Sequence, residues 1–123
     1  MLNKVIFAFN TMKQTTDSSA QEILDKLEGI LDSRKSAQAD SSYVASLYQK
    51  GLDSILKKIG EEATETVMAA KDGEREKIIY EVADLWFHVI VMLRQQNISS
   101  HEVLLELERR FGLSGIEEKA SRN

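Results

Sequence analysis

IGEEATETVMAAKDGEREKIIYEVAD, residues 59–84, consists of two strongly helical segments on either side of an Asp-Gly dipeptide. Glycine readily adopts the left-handed conformation that ends a helix, so the first segment should stop there. Each segment carries two carboxylates three residues apart, in Glu62-x-x-Glu65 and in Glu81-x-x-Asp84. Residues with this spacing lie on one face of a helix. The stretch therefore predicts an antiparallel helix pair whose acidic pairs lie at matching distances from the turn and face one groove.

Helical spacing of apolar side chains continues on both sides of this hairpin. The two long helices should cover about residues 53–71 and 74–96. Shorter helices are predicted over about residues 20–34, after the N-cap candidates Asp40-Ser41-Ser42, and after the capping box that begins at Ser99. The chain has no proline and only six glycines, which favours helices over β-structure. We predict an all-α helical bundle formed by residues 20–123, with residues 1–19 as an N-terminal extension.

Composition narrows the class of protein. A chain of 123 residues is most simply one domain, and its net charge of −4 argues against nonspecific nucleic-acid binding. Without cysteine, the chain cannot form disulfides, thiolate-ligated metal sites or a cysteine nucleophile. The apolar run Val5 to Phe9 is too short for a signal-peptide core or a membrane span. We therefore expect a cytoplasmic protein that binds neither membranes nor nucleic acid.

The apolar residues predict which face of each long helix is buried. On the first long helix the predicted core face consists of Leu52, Leu56, Ile59, Ala63 and Ala70. On the second it consists of Ile78, Val82, Leu85, Val89 and Leu93. Both acidic pairs then lie about 120° around the helix from the centre of the core face. Apolar residues surround most of the second helix between Glu81 and Leu93, which predicts a homodimer whose four-helix core is completed by a partner chain.

The four carboxylates predict a metal site. Carboxylates at one place repel one another unless a cation lies between them. Mg²⁺ prefers hard oxygen ligands, and a cage of four would hold it and, through it, a polyphosphate. Two alternatives remain open at this point. Glu62 and Glu65 could be ordinary solvated surface acids, and the whole acidic stripe could be the solvent edge of a non-catalytic helical dimerisation module.

The acidic pairs resemble the motif of the all-α nucleoside triphosphate pyrophosphohydrolases, the MazG-like superfamily. Within it, the sequence is similar to the phosphoribosyl-ATP pyrophosphohydrolase family of histidine biosynthesis. The resemblance covers about residues 22–122. The matching stretches are DSSYVA at 40–45, ILKKIGEEATE at 55–65, AAKD at 69–72, YEVADL at 80–85 with His88, and GLSGIEEKASR at 112–122. The KKIGEEATE run and the EKASR tail are more specific than the acidic motif alone.

The resemblance implies Mg²⁺-dependent hydrolysis of phosphoribosyl-ATP to phosphoribosyl-AMP and pyrophosphate, the second step of histidine biosynthesis. It also implies that Glu62, Glu65, Glu81 and Asp84 are metal ligands. Glu61 and Glu62 are the candidate catalytic residues, with Glu61 either supporting a metal ligand or orienting the attacking water; the resemblance does not decide which carboxylate acts as the base. A house-cleaning pyrophosphohydrolase acting on (deoxy)nucleoside triphosphates would use the same metal chemistry and is the nearest alternative.

Basic residues are expected to bind the triphosphate and the separate monophosphate of the substrate. The candidates are Lys58, Arg34, Lys119 and Arg122. Lys58 could equally form an ion pair with Glu62, one helical turn further along the chain. His88 is predicted to be buried and hydrogen-bonded, in a position where it could orient a carboxylate.

Overall fold

The computed structural model describes residues 19–111 and Arg122, and the described part of the chain is helical without any strand. It contains five α-helices: α1 (Ala20–Ser33), α2 (Tyr43–Lys50), α3 (Leu52–Asp72), α4 (Arg75–Gln95) and α5 (Ser100–Arg109). Two short 3-10 turns, Arg34–Ser36 and Ala39–Ser41, connect α1 to α2. The predicted all-α class is confirmed. Residues 1–18, which make up most of the predicted N-terminal extension, lie outside the described residues, as do residues 112–121 and 123.

The helices begin and end where the capping residues predict. Ser42 accepts a hydrogen bond from the backbone N–H of Ala45 at the start of α2. Ser99 and Glu102 form a complete capping box at the start of α5. Gly73 ends α3 with φ of 76°, in the left-handed region that glycine enters without steric cost.

Helices α3 and α4 form an antiparallel hairpin around Gly73, and this is the main helix–helix contact of the described chain. Helices α1 and α2 pack against the end of the hairpin that lies away from the turn. The core there consists of Leu27, Leu31, Val44, Leu47, Ile55, Phe87, Ile90 and Val91. Burial of this apolar surface, at roughly 25 cal/mol per Å², is the principal force holding α1 and α2 against the hairpin.

An ion pair ties the end of α1 to the end of α4. Arg94 donates two hydrogen bonds to the carboxylate of Asp32, at 3.0 and 2.9 Å. Its guanidinium also donates to the carbonyl oxygen of Ile98, after α4. The Arg94 guanidinium lowers the pKa of the Asp32 carboxyl.

The predicted core faces of the long helices are wrong. On α3 the buried residues are Ile55, Glu62 and Ala69, whereas Leu56, predicted to lie in the core, is 45% exposed. On α4 Leu93 is the one predicted core residue that is buried and the other four are half-buried, whereas Glu81, Asp84 and His88 are buried. Both helices carry apolar residues around much of their circumference, so hydrophobicity fits more than one orientation. The hairpin turns its acidic face inward and leaves part of its apolar face exposed.

Trp86 and Val67 belong to this outward apolar surface, with exposed fractions of 64% and 63%. Within residues 19–111, no helix combines the length and the apolar character needed to cross a membrane.

Candidate metal centre

The structure brings the four predicted carboxylates together between α3 and α4. Glu62 and Glu65 from α3, with Glu81 and Asp84 from α4, each offer one oxygen, and these oxygens all lie within 4.8 Å of one another. The hairpin accounts for this arrangement, because the two pairs are at similar distances from Gly73 on antiparallel helices. Such a set of oxygens matches the ligands that Mg²⁺ prefers.

Three members of the cluster are buried and one is exposed. Glu62 and Asp84 are completely inaccessible to solvent, and Glu81 is nearly so. Glu65 is exposed. A cation or a phosphate would therefore reach the buried oxygens from the side of Glu65.

Most of the buried carboxylate oxygens lack hydrogen-bond partners among the described residues. They are both oxygens of Glu62, both oxygens of Asp84, and Oε2 of Glu81. A buried carboxylate without a partner is costly, and proteins compensate such groups by protonation, by cations or by water. These five oxygens belong to three residues of one cluster, and a divalent cation bound there would satisfy several of them at once.

The electrostatics of the cluster agree with this fit. Burial raises the pKa of Glu62 to about 9, with further contributions from Asp84 and Glu65. Burial also raises the pKa of Glu81, and Glu65 adds to the effect. At neutral pH the cluster therefore retains protons, and a cation that binds to it must displace them.

Thr66 joins the two helices beside the cluster. Its hydroxyl lies 2.8 Å from the carbonyl oxygen of Glu62 and 3.3 Å from that of Glu81. The hydroxyl has one hydrogen to donate, so the two carbonyls share it. Because each carbonyl belongs to a residue of the cluster, this contact fixes the spacing of α3 and α4 where the carboxylates meet.

His88 lies against Asp84 and is also completely buried. Its Nδ1 is 2.8 Å from the carbonyl oxygen of Asp84 and 3.4 Å from the carboxylate Oδ1 of the same residue. Its Nε2 is 2.8 Å from the hydroxyl of Tyr43, at the start of α2. Burial lowers the pKa of His88 and raises that of Tyr43, so the ring is neutral and the phenol is protonated. The predicted burial and hydrogen bonding of His88 are confirmed.

The sequence matches the profile of the phosphoribosyl-ATP pyrophosphohydrolase family over residues 24–111, a region that contains the whole acidic cluster. The chain belongs to this family. The assignment confirms the resemblance that the motifs indicated.

Three bacterial relatives, each named phosphoribosyl-ATP pyrophosphatase, illustrate the similarity. The protein from Methylococcus capsulatus is 65% identical over 101 residues, which cover 82% of this chain and 96% of the relative. The protein from Vesicomyosocius okutanii is 64% identical over 102 residues, covering 83% and 97% of the two chains. The protein from Geobacter metallireducens is 58% identical over 101 residues, covering 82% and 93%. The shared region is thus nearly the full length of these family members.

The remaining candidate residues of this family member are Glu61 and four basic residues. Lys58 Nζ lies 3.2 Å from Glu61 Oε2, so its ion pair is with Glu61 and the alternative pairing with Glu62 is not formed. Glu62 turns into the helix interface, whereas Glu61 stays at the surface within reach of Lys58. Arg34 belongs to the 3-10 turn after α1, and Arg122 is exposed. Lys119 lies outside the described residues.

The sequence did not indicate that Tyr43 and Thr66 lie beside the cluster. Tyr43 is remote in sequence from His88, and nothing in the local pattern connects them. Thr66 follows Glu65 directly, and its position one turn after Glu62 would have placed it near the acidic face.

Proposed function

We propose that this family member hydrolyses phosphoribosyl-ATP to phosphoribosyl-AMP and pyrophosphate, and that the reaction depends on Mg²⁺. Water would attack the α-phosphorus, and the bond from that phosphorus to the α–β bridging oxygen would break. The observation that carries the proposal is the convergence of four carboxylates whose buried oxygens lack partners among the described residues. Membership of the family and the names of its close relatives support the choice of substrate.

In this proposal Glu62, Glu65, Glu81 and Asp84 bind the metal. Bound Mg²⁺ supplies positive charge that neutralises the triphosphate and the leaving pyrophosphate. The protein positions the ligands, because the hairpin holds the four carboxylates together before substrate arrives and burial restrains the side chains of Glu62, Glu81 and Asp84. Glu65, the exposed member, lies where the substrate phosphates would approach.

Glu61 is the residue we propose to orient the attacking water. It lies next to the cluster on α3, and its contact with Lys58 restricts its side chain. Lys58 would thereby act through Glu61 or contact a phosphate directly. We retain Arg34, Lys119 and Arg122 as proposed contacts for the remaining substrate phosphates, on the basis of charge and the sequence resemblance.

We also propose that the active species is a homodimer formed through the outward apolar face of the hairpin. Leu56 and Val67 on α3 and Ile79 and Trp86 on α4 are large, apolar and exposed. The spacing of seven residues from Ile79 to Trp86 puts both on one face of α4. A surface of this kind is typical of an interface. The cytoplasmic location and the boundary at residue 19 stay predictions.

Pyrophosphate release from phosphoribosyl-ATP, measured with Mg²⁺ and with EDTA, tests the activity. Glu81→Gln should abolish most of the release, because it removes a buried carboxylate from the cluster. Glu76→Gln is the matched control, since it removes an exposed carboxylate from the same helix and should keep wild-type activity.

Two outcomes would contradict the activity. Faster hydrolysis of free deoxynucleoside triphosphates than of phosphoribosyl-ATP would favour the house-cleaning alternative. Full activity of Glu81→Gln, or of the wild type in EDTA, would exclude the metal site. For the dimer, Trp86→Lys should shift the mass measured by light scattering from two chains to one, and an unchanged mass would refute this interface.

A further inference from the structure

We propose that Tyr43 and His88 are positioning residues that hold the Asp84 carboxylate in place for metal binding. The proposal rests on the proposed metal site and adds two residues to it, one of them from α2. Tyr43 and His88 form a chain of hydrogen bonds that begins at the N-terminus of α2 and ends on Asp84.

The partners of His88 determine where its proton lies. A carbonyl oxygen can only accept a hydrogen bond, so Nδ1 must carry the hydrogen that it shares with the carbonyl of Asp84. In the neutral ring Nε2 then has a lone pair and accepts from the hydroxyl of Tyr43. With the ring neutral, Tyr43 donates to Nε2 of His88, and Nδ1 of His88 donates to the backbone carbonyl of Asp84.

This arrangement places a donor beside the carboxylate of Asp84. Nδ1 lies 2.8 Å from the backbone carbonyl oxygen of Asp84, which accepts its hydrogen, and 3.4 Å from the carboxylate Oδ1, which it contacts without a hydrogen bond. One ligand atom each from Glu62, Asp84 and His88 lie within 4.8 Å of one another, so the buried ring is packed beside the carboxylate. In the other tautomer, Nδ1 would direct a lone pair at these oxygens and repel them. The carbonyl of Asp84 selects the tautomer that donates from Nδ1, and the Tyr43 hydroxyl satisfies the Nε2 lone pair that this tautomer leaves, so Tyr43 holds the ring in place beside Asp84.

A direct role of His88 as a metal ligand is the competing interpretation. Glu62, Asp84 and His88 do lie close enough to form a three-residue group, with one ligand atom from each within 4.8 Å of the others. Both ring nitrogens, however, are already engaged, Nδ1 as a donor and Nε2 as an acceptor. Ligation would require His88 to break one of these hydrogen bonds. The geometry favours positioning.

Calorimetric titration with Mg²⁺ tests the proposal without depending on turnover. Tyr43→Phe removes the hydroxyl and keeps the ring. His88→Asn retains an N–H near the position of Nδ1, whereas His88→Gln moves its amide toward the position of Nε2. Tyr48→Phe is the matched control, because Tyr48 is also on α2 and its buried hydroxyl has no hydrogen-bond partner within the described chain.

We expect His88→Gln to weaken Mg²⁺ binding by about 10-fold or more, the usual effect of removing a group that orients a metal ligand. Tyr43→Phe should weaken binding by roughly 3- to 10-fold, since the ring can still sample the donating tautomer. His88→Asn should bind Mg²⁺ better than His88→Gln, and Tyr48→Phe should match the wild type. The double variant Tyr43→Phe, His88→Gln should be little worse than His88→Gln alone, because both changes interrupt one chain.

Circular dichroism in EDTA checks that each variant is folded. If a His88 variant is unfolded, the Mg²⁺ affinity of Tyr43→Phe tests the positioning role. Unchanged Mg²⁺ affinity in Tyr43→Phe, or equal weakening in Tyr48→Phe, would overturn the positioning role. Binding by His88→Asn that is as weak as that of His88→Gln would favour direct ligation and so contradict it. A wild type that binds no Mg²⁺ would instead remove the proposed metal site, and this inference with it.

Discussion

Replacing Glu62 by glutamine should flatten the pH dependence of stability that this carboxyl imposes on the metal-depleted protein. The pKa of Glu62 is about 9 in the folded state, against an ordinary value of 4.5. Between these values the folded protein binds a proton that the unfolded chain has released. The free energy of unfolding therefore falls as pH rises through this range. The contribution of Glu62 to it is greatest below pH 4.5.

The size of the effect follows from one retained proton. A full proton difference changes the free energy of unfolding by about 1.4 kcal/mol per pH unit. From pH 6 to pH 8 the Glu62 contribution is then about 2–3 kcal/mol. Glutamine has nearly the same shape as protonated glutamate but cannot ionise. Glu62→Gln should therefore have nearly the stability of the wild type near pH 5. Its advantage over the wild type in free energy of unfolding should be larger at pH 8 than at pH 6, by about 2–3 kcal/mol.

Urea denaturation in EDTA at pH 6, 7 and 8, followed by circular dichroism, measures this difference. Glu76→Gln is the control for charge removal, because Glu76 is exposed on α4 and its variant should run parallel to the wild type. If the free energies of unfolding of Glu62→Gln and the wild type change with pH in parallel, the raised pKa of Glu62 is contradicted. The same result would mean that Glu62 is ionised, or solvated, within the folded metal-depleted protein.

Three further changes test the fold around the site. Gly73→Ala should lower the free energy of unfolding measured in urea by about 1 kcal/mol, because alanine is strained at φ of 76°. Gly29→Ala should raise the same free energy by about 0.5–1 kcal/mol, because Gly29 lies inside α1 with open space around it. In the same assay Thr66→Val should lower the free energy of unfolding by about 1 kcal/mol. Thr66→Ser should lower it less, since serine keeps the hydroxyl that the two carbonyls share. Asp32→Asn should lower the free energy of unfolding at pH 7 by no more than about 1 kcal/mol, since Asp32 is partly exposed. The difference from the wild type should vanish in acid, because wild-type Asp32 is protonated below its lowered pKa and its ion pair with Arg94 is then lost.

Each of these three is open to contradiction by the same measurements. Equal stability of the two glycine variants would remove the argument from the left-handed turn. Equal losses in Thr66→Ser and Thr66→Val would point to the methyl group rather than the hydroxyl. A deficit in Asp32→Asn that persists in acid would mean that something other than the charge of Asp32 is responsible.

The local signals in the sequence were sufficient to locate the helices and the turn. Ser42, Ser99 and Gly73 act through contacts within a few residues, so their sequence neighbours contain all the information needed. The convergence of the acidic pairs was predictable for a similar reason. A tight turn between two straight helices fixes which residues face each other once the turn is located.

The orientation of the hairpin was not predictable from hydrophobicity. An apolar residue such as Leu56 indicates a surface that avoids water, and it does not distinguish the chain's own core from an outward face. Glu62 would ordinarily be assigned to the solvent side, yet it is completely buried. Its position fits the proposed metal site, because a buried carboxylate without a partner costs stability.

The contact of Tyr43 with His88 illustrates a second limit. The two residues are 45 positions apart, and their meeting depends on how α2 packs against the hairpin. Neither residue carries a local signal of its partner. Packing between elements, rather than the pattern within them, determines this part of the site.

Since all four carboxylates come from one hairpin, the number of residues separating them cannot change. A single residue inserted between Glu65 and Gly73 would rotate the first pair by about 100° relative to the second and carry it away from the shared centre. Insertions between α1 and α2 would leave that relation intact. Relatives that keep the activity should therefore vary in length outside the interval from Glu62 to Asp84, and a designer who transplants the centre would have to copy that interval whole.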